Sequence, residues 1–330
     1  MVWVEQKPDT NDRVPVLLEN NRFAALFHPV VNLFSLPAYT EIDLTPFFAP
    51  FFMLFFGMCF GDVAYGLLIM AAVTVLKYKK QYSQMRPLFT LAQLLGAAAV
   101  AFGLLTGTVA GIDLAKSNIG FLTEVKTYFI NVNSLFNVSL IIGLVQIVFG
   151  MALRAANNWV QKGAQFAISP LGWILGIAGG LLYIFTAYTL PAYLLLGLAL
   201  FCVIVFSDPN AGILKRIGLG LWDLYGITGL FGDVLSYVRL FALGLSSATL
   251  GFVVNTIALS ALTLPPVLGE LFFIVILLLG HGLNFGISAL SSFVHPIRLT
   301  FVEFYKNAGF TGGGVEYQPF RFKNSNNHKQ

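Results

Sequence analysis

The sequence predicts an all-α integral membrane protein of about eight transmembrane helices, the last two long and strongly tilted. Three observations carry that prediction. Of 330 residues, 57% are apolar and only 10% charged, whereas soluble domains are roughly 45–50% apolar and about 25% charged. The mean hydropathy is +0.79. The apolar residues also fall in runs of about the length that crosses a bilayer, near 20 residues. The net charge of +4 is too small to suggest nucleic acid as a partner, so the lipid bilayer is the expected surroundings. Cys59 and Cys202 both lie inside apolar runs and suit small core positions rather than a disulfide or metal site. The first 20 residues are polar, so no cleavable signal peptide is expected.

Residues 1–45 form a mixed lead-in, expected on the cytoplasmic side as the remnant of, or link to, an N-terminal domain. The membrane domain is expected over 46–308, with a cytoplasmic tail over 309–330. Apolar runs cover roughly 46–78, 87–112, 134–156, 168–188, 191–207, 217–262 and 265–302. Basic residues cluster at Lys77, Lys79, Lys80 and Arg86, at Arg154 and Lys162, at Lys215 and Arg216, and in the tail. Basic residues collect on the cytoplasmic side. All four clusters fall there with both termini only if 46–78 crosses twice, as a hairpin of short limbs near Gly57–Gly66. A helix over 217–262 would be about 69 Å long against roughly 30 Å of hydrocarbon. It must begin along the interface, where Ile213–Tyr225 has mixed character, and then tilt. Pro265 and Pro266 turn the chain into the final run.

Two features of the C-terminal third suggest chemistry. Arg239 lies well inside the penultimate run, where a cation costs at least a few kcal/mol. It could snorkel or pair with Asp233, although six residues separate the two and they do not share a helical face. In the final run His281, Asn284, Ser288, Ser291, His295 and Arg298 follow steps of three and four, so one helical face carries all six. Small polar residues commonly glue membrane helices, and glue accounts for Ser288 and Ser291. Two histidines and an arginine on the same line favour a water-lined path. Helical arithmetic from a turn at 264–265 puts Arg298 about 12 Å nearer the cytoplasm than Arg239. Ser236, Ser246, Ser247 and Glu303 are weaker members of the same path. No phosphate-binding loop or metalloprotease His pair is present, so no cofactor, metal or ATP site is expected. Gly312–Gly314 lacks a lysine for phosphate and suits a flexible loop.

At these residues the sequence resembles the membrane half of the V-type ATPase and ATP synthase stator subunit, called subunit a or subunit I. The resemblance covers about 14–322. It rests on Pro37-Ala38-Tyr39-Thr40-Glu41-Ile42-Asp43, on Phe60-Gly61-Asp62 through Tyr65-Gly66, and on Ser236-Tyr237-Val238-Arg239-Leu240. It continues in His295-Pro296-Ile297-Arg298-Leu299 with Val302-Glu303-Phe304, and in Gly313-Gly314 with Tyr317-Gln318-Pro319-Phe320. The resemblance implies a non-catalytic subunit of a rotary ion-translocating ATPase, moving H⁺ or Na⁺. Its last two helices would face a proteolipid ring, and peripheral-stalk and central-stalk subunits would be further partners. It also implies an essential arginine at Arg239, a supporting one at Arg298, and a prokaryotic cell membrane location. Eukaryotic members carry a histidine at the Ser247 position and a glutamate at the Ser288 position. The family normally has a large cytoplasmic N-terminal domain, so a fragment or a short subunit is expected. A stand-alone secondary ion-coupled transporter is the alternative, although such proteins often show two matching halves and none are visible here.

Overall fold

A computed structural model of the chain describes residues 14–113, 132–186 and 189–317. It is helical almost throughout, as lipid demands of backbone groups that have no water to bond. Two one-turn helices, α1 (Arg22–Ala25) and α2 (His28–Val31), precede the membrane helices. Two sixteen-residue apolar helices follow, α3 (Thr45–Phe60) and α4 (Val63–Tyr78). Then come α5 (Arg86–Thr106), α6 (Val132–Lys162), α7 (Ala164–Phe185) and α8 (Thr189–Phe206). The C-terminal third holds α9 (Ile213–Ser236), α10 (Val238–Ala261) and α11 (Pro266–Arg298), a π-helical turn (Leu299–Phe304), and α12 (Tyr305–Ala308). Among the described residues, six helical stretches are long and apolar enough to cross a membrane, the last two of 49 and 43 residues. The protein is therefore a multi-pass membrane protein, with the shorter α3 and α4 beside those six.

The chain reverses between α3 and α4. Gly61 ends α3 in the left-handed region (φ 34°), which glycine adopts freely. Asp62 then caps α4, its side chain accepting from the amides of Ala64 and Tyr65. Gly57 on α3 and Gly66 on α4 approach the same stretch of α5, at Ala98 and at Gly96–Val100, so closely that a Cβ on either would sit within 3 Å of α5. The two helices thus pass one level of α5 in opposite senses, the hairpin that the basic residues required. They pack on α5 rather than on each other.

The lead-in is not a separate lobe. Phe27, Val30 and Val31 sit in one core with Phe48, Phe52 and Phe304, and Phe27 meets Phe48 and Phe52 edge-on at centroid distances of 6.1 and 5.8 Å. Aromatic pairs favour that geometry. The residues after α12 return to the lead-in: β1 (Pro15–Val16) pairs in parallel with Val315–Glu316, and Leu36 bridges Gly314. Glu41 fixes this junction. Its carboxylate accepts from the amides of Ala38, Thr311 and Gly312, at 3.0, 2.8 and 3.1 Å. Gly312–Gly314 is accordingly a shaped loop, with φ of 69° and 86° at Gly312 and Gly313, and not the slack segment its composition suggests. His28 and Asp43 meet through Asn20 in the same region.

On the opposite end, α5 leads into a tight hairpin, Thr108–Val109 against Ile112–Asp113. Its Gly111 is packed against Gly251 of α10 with no room for a methyl group on either. The helical hydrogen bonding of α9–α10 is interrupted at Tyr237, which keeps helical dihedrals (φ −74°, ψ −18°), and α9 exposes Leu214, Trp222, Tyr225 and Phe231 along its length.

Candidate functional site

The helices α10 and α11 are antiparallel, and their contacts set a register: Ser247 opposite Ser288, Val254 opposite Gly280 and Asn255 opposite His281. Along this seam a continuous chain of hydrogen bonds connects side chains from four segments. The Asp62 carboxylate accepts from the amides of Ala110 and Gly111 (3.0 and 3.3 Å), and the Ala110 carbonyl accepts from Asn255 (2.8 Å). The other end of Asn255 meets His281 Nε2 at 3.0 Å, and His281 Nδ1 meets the Tyr65 hydroxyl at 2.7 Å. Asn284 donates to the Tyr65 oxygen and to the Ser247 carbonyl, both at 3.1 Å. Ser288 reaches Ser247 at 2.8 Å and Asn284 at 3.2 Å, and Ser292 closes the chain by donating to the Ser288 carbonyl at 2.7 Å. Asn284, Ser288, Ser292 and Ser247 are all buried.

The expected path therefore divides. His281, Asn284, Ser288 and Ser247 lie in the seam. Ser291 stands outside these hydrogen bonds and Ser292 takes its place. Ser246 sits on the outward face of α10. Tyr65 and Asn255 join from α4 and α10 without any periodic signal to mark them, and only the Tyr65-Gly66 portion of a quoted motif touched the first.

A second, charged group lies beyond Ser292. Arg239 occupies the first turn of α10, half-buried. Eight residues down α10 from Ser247, it falls opposite Pro296 by the Ser247–Ser288 register. His295 lies within electrostatic reach of both Arg239 and Arg298. The two arginines are thus about 3 Å apart along the helix axes and not the 12 Å that turn-centred arithmetic suggests. The difference arises because the register shifts along the pair: near the turn Gly269 backs onto the carbonyls of Ala261 and Leu264, whereas farther along Ser288 meets Ser247. Arg298 is exposed, and the π turn after it directs buried Glu303 toward Ser236, whose own hydroxyl donates to the Gly232 carbonyl at 3.0 Å.

Asp233 does not neutralise Arg239. Its carboxylate is held by Lys306 Nζ at 3.0 and 3.1 Å and by Asn307 at 2.9 Å. Among the described residues this is the one ion pair, so Arg239 has no carboxylate within salt-bridge distance. Arg239 Nη1, His295 Nδ1, Thr300 Oγ1 and Glu303 Oε2 are buried without a hydrogen-bond partner in the described chain. Buried polar atoms are nearly always partnered, and atoms this deeply enclosed by the chain itself take such partners from internal water. On the outer surface Arg239 shares a helical face with Ala242, Ser246, Leu250 and Val253, all exposed. On α11, Leu283, Ile287 and Leu290 are exposed as well.

A cavity of about 180 Å³ lies beside the Asp233–Lys306 pair. Arg154, Ser169, Asp223, Asp233, Lys306 and Asn307 provide its polar lining.

This is a multi-pass helical membrane protein with a polar seam between two long helical stretches and, at one end of that seam, an arginine that no carboxylate among the described residues pairs. Residues 2–94 match the model of the V-type ATPase 116kDa subunit family. The chain is 30% identical, over 97% of its length and 51% of the relative's, to A-type ATP synthase subunit I of Methanocaldococcus jannaschii. It is 29% identical to V-type ATP synthase subunit I of Borreliella burgdorferi, over 95% of this chain and 55% of that protein. A-type ATP synthase subunit I of Pyrococcus abyssi is 30% identical over 97% of this chain and 49% of its own length. Over 2–94 the chain matches that family's model, and over nearly all of its length it is similar to subunit I of A-type and V-type ATP synthases. It spans about half the length of the curated relatives it matches.

Proposed function

We propose that this chain is the static ion-translocating part of a rotary V-type ATPase, working against a ring of proteolipid subunits that each carry a membrane carboxylate. One observation carries the reading: Arg239 is a half-buried guanidinium on an outward-facing stripe of a membrane helix, with no carboxylate in the described chain to neutralise it. An opposite charge within a few Å favours the ionised form of a carboxyl group. A ring carboxylate arriving at Arg239 therefore gives up its proton or Na⁺ and cannot carry it past. Arg298, within about a turn, supports the positive field.

Two offset aqueous half-channels complete the scheme. The polar cavity lined by Arg154, Asp233 and Lys306 serves the cytoplasmic side, continuing past Glu303 and Ser236 toward Arg239 and His295. The seam from Asp62 through His281, Tyr65, Asn284 and Ser288 serves the other side. Net transfer requires the ring to turn between them, and each charge moved is worth about 2.3 kcal/mol per 100 mV. In this scheme 46–308 is the membrane domain. The lead-in and tail are cytoplasmic in a prokaryotic cell membrane, and peripheral-stalk and central-stalk subunits bind on that side. ATP is hydrolysed or made by other subunits.

The test is Arg239→Ala in the assembled complex, read as ATP-driven ion uptake into vesicles. The expected result is loss of uptake with an intact subunit complement on purification. Uptake at the unmodified rate removes the proposed role of Arg239.

A further inference from the structure

The hydrogen bonds around His281 fix where each proton at this end of the seam resides. Asn255 donates its amide to the Ala110 carbonyl at 2.8 Å, so its oxygen is the end that meets His281 Nε2 at 3.0 Å. That oxygen only accepts, so Nε2 carries a proton. In a neutral imidazole the other nitrogen is then an acceptor, and the Tyr65 hydroxyl, 2.7 Å away, donates to Nδ1. Asn284 Nδ2, held to the Ser247 carbonyl, donates to the Tyr65 oxygen, both at 3.1 Å. Every donor meets an acceptor, and that count closes only while His281 is neutral.

A proton on Nδ1 breaks the count, because it turns an acceptor into a donor. The Tyr65 oxygen can take that N–H beside the one from Asn284, but its own O–H then faces no acceptor. Tyr65 is buried, and among the described residues its hydroxyl has no further hydrogen-bond partner. A buried donor left unmet is strongly disfavoured, so the tyrosine must leave. Its departure matters because α4 packs on α5 and reaches α11 chiefly through this side chain. The ring stands edge-on to Phe285 at 5.7 Å, and the hydroxyl supplies the bonds to His281 and Asn284.

Few charges face the site. From α4 there is Asp62, whose carboxylate is already engaged by the amides of Ala64, Tyr65, Ala110 and Gly111. From α10 the site meets neutral Asn255 and Ser247, and α10 carries no charged residue after Arg239. The Thr108–Asp113 hairpin presents the Ala110 carbonyl, with Asp113 at its other end opposite Thr108. On α11, Glu270 and His295 lie about 16 and 21 Å away along the axis. Half-buried His281 is thus the group here whose charge changes near neutral pH.

We propose that Tyr65 and His281 form an acid-sensitive latch between α4 and α11, closed while His281 is neutral and released when Nδ1 takes a proton. The latch is independent of the rotary reading. Within that reading it makes one wall of the outer half-channel respond to the acidity of the compartment it serves.

The test uses the full chain in nanodiscs, with Cys59 and Cys202 replaced by Ala and nitroxide labels on Leu67→Cys of α4 and Leu283→Cys of α11, both exposed positions. The distance between labels is read by electron paramagnetic resonance at about pH 8 and about pH 4.5, either side of an ordinary imidazole's range. Acidification should lengthen it by about 1–2 Å, the scale of helix shifts in switching proteins, and broaden its distribution. His281→Gln does not titrate and should give one distribution at both pH values. Tyr65→Phe has no hydroxyl to hold the latch, so at the higher pH it should already show the released distribution; it serves alone if His281→Gln does not fold. A labelled chain with Tyr65 and His281 intact that ignores pH overturns the proposal. So does a pH response that survives in His281→Gln, since another group is then the sensor, and so does a Tyr65→Phe chain that stays closed.

Discussion

Tyr65→Phe removes one oxygen and leaves the ring, so its effect on the seam can be worked out atom by atom. The hydroxyl meets His281 Nδ1 at 2.7 Å and accepts from Asn284 at 3.1 Å. The losses are unequal. Asn284 is fully buried but keeps its bond to the Ser247 carbonyl, so it forfeits only part of its bonding. His281 is half-buried and keeps Asn255 on its other nitrogen. Hydrogen bonds between membrane helices average about 0.6 kcal/mol, and leaving a buried polar group unsatisfied costs about 1–3 kcal/mol. With one bond lost at a half-buried atom and a second at an atom that keeps a partner, the expected destabilisation is about 1–2 kcal/mol. The assay is reversible unfolding of the chain in bicelles, run as a double-mutant cycle with His281→Ala. Groups in one network should couple, and we expect about 0.5–1 kcal/mol of non-additivity. Strict additivity of Tyr65→Phe and His281→Ala would show that no shared bond exists, and the seam as described would be wrong.

Three further outcomes follow from the same geometry. Ser288→Leu puts an apolar side chain between Ser247 and Asn284; ATP-driven ion uptake should slow far more than stability falls, and an equal loss of both would make the seam mere helix glue. Gly251→Ala sets a methyl group 2.8 Å from Gly111 Cα, so overpacking should cost about 1–3 kcal/mol in the same unfolding assay, with Gly251→Ser no better. Glu41→Ala deletes the acceptor of three backbone amides; hydrogen exchange at Thr311 and Gly312 should rise by at least tenfold, corresponding to about 1.4 kcal/mol or more of lost protection.

The parts of this fold that lipid dictates were legible in the sequence. Runs of apolar residues marked the membrane helices with ends up to six positions out, as at Thr106 and Lys162, and basic residues at Lys77–Arg86 called for the reversal that Gly61 and Asp62 execute. Arg239 stood out because a cation in an apolar run has no other context to hide in. The seam was only partly legible, for a geometric reason. A straight line on one helix alternates steps of three and four, which selects Ser291. Where two helices cross at an angle, the contact line slides around each, following every fourth residue. Asn284, Ser288, Ser292 and Pro296 are that line, and all four are buried. Tyr65 and Asn255 each contribute one polar group from another helix, so no period could expose them. Glu41 stood in a quoted motif without a legible role, because two of its three partners are backbone amides some 270 positions away, which leave no trace in side-chain pattern.

That long-range clasp constrains the order of events during synthesis. Parallel pairing of Pro15–Val16 with Val315–Glu316 has the whole helical bundle as its crossover, and the Glu41 carboxylate waits for amides at 311 and 312. Neither can form until the final membrane segment has left the ribosome and reached its place. The lead-in is therefore among the last parts to be locked although it is made before every membrane helix, and a nascent chain stalled anywhere before Gly312 keeps an open seam there, where quality-control proteases would find it.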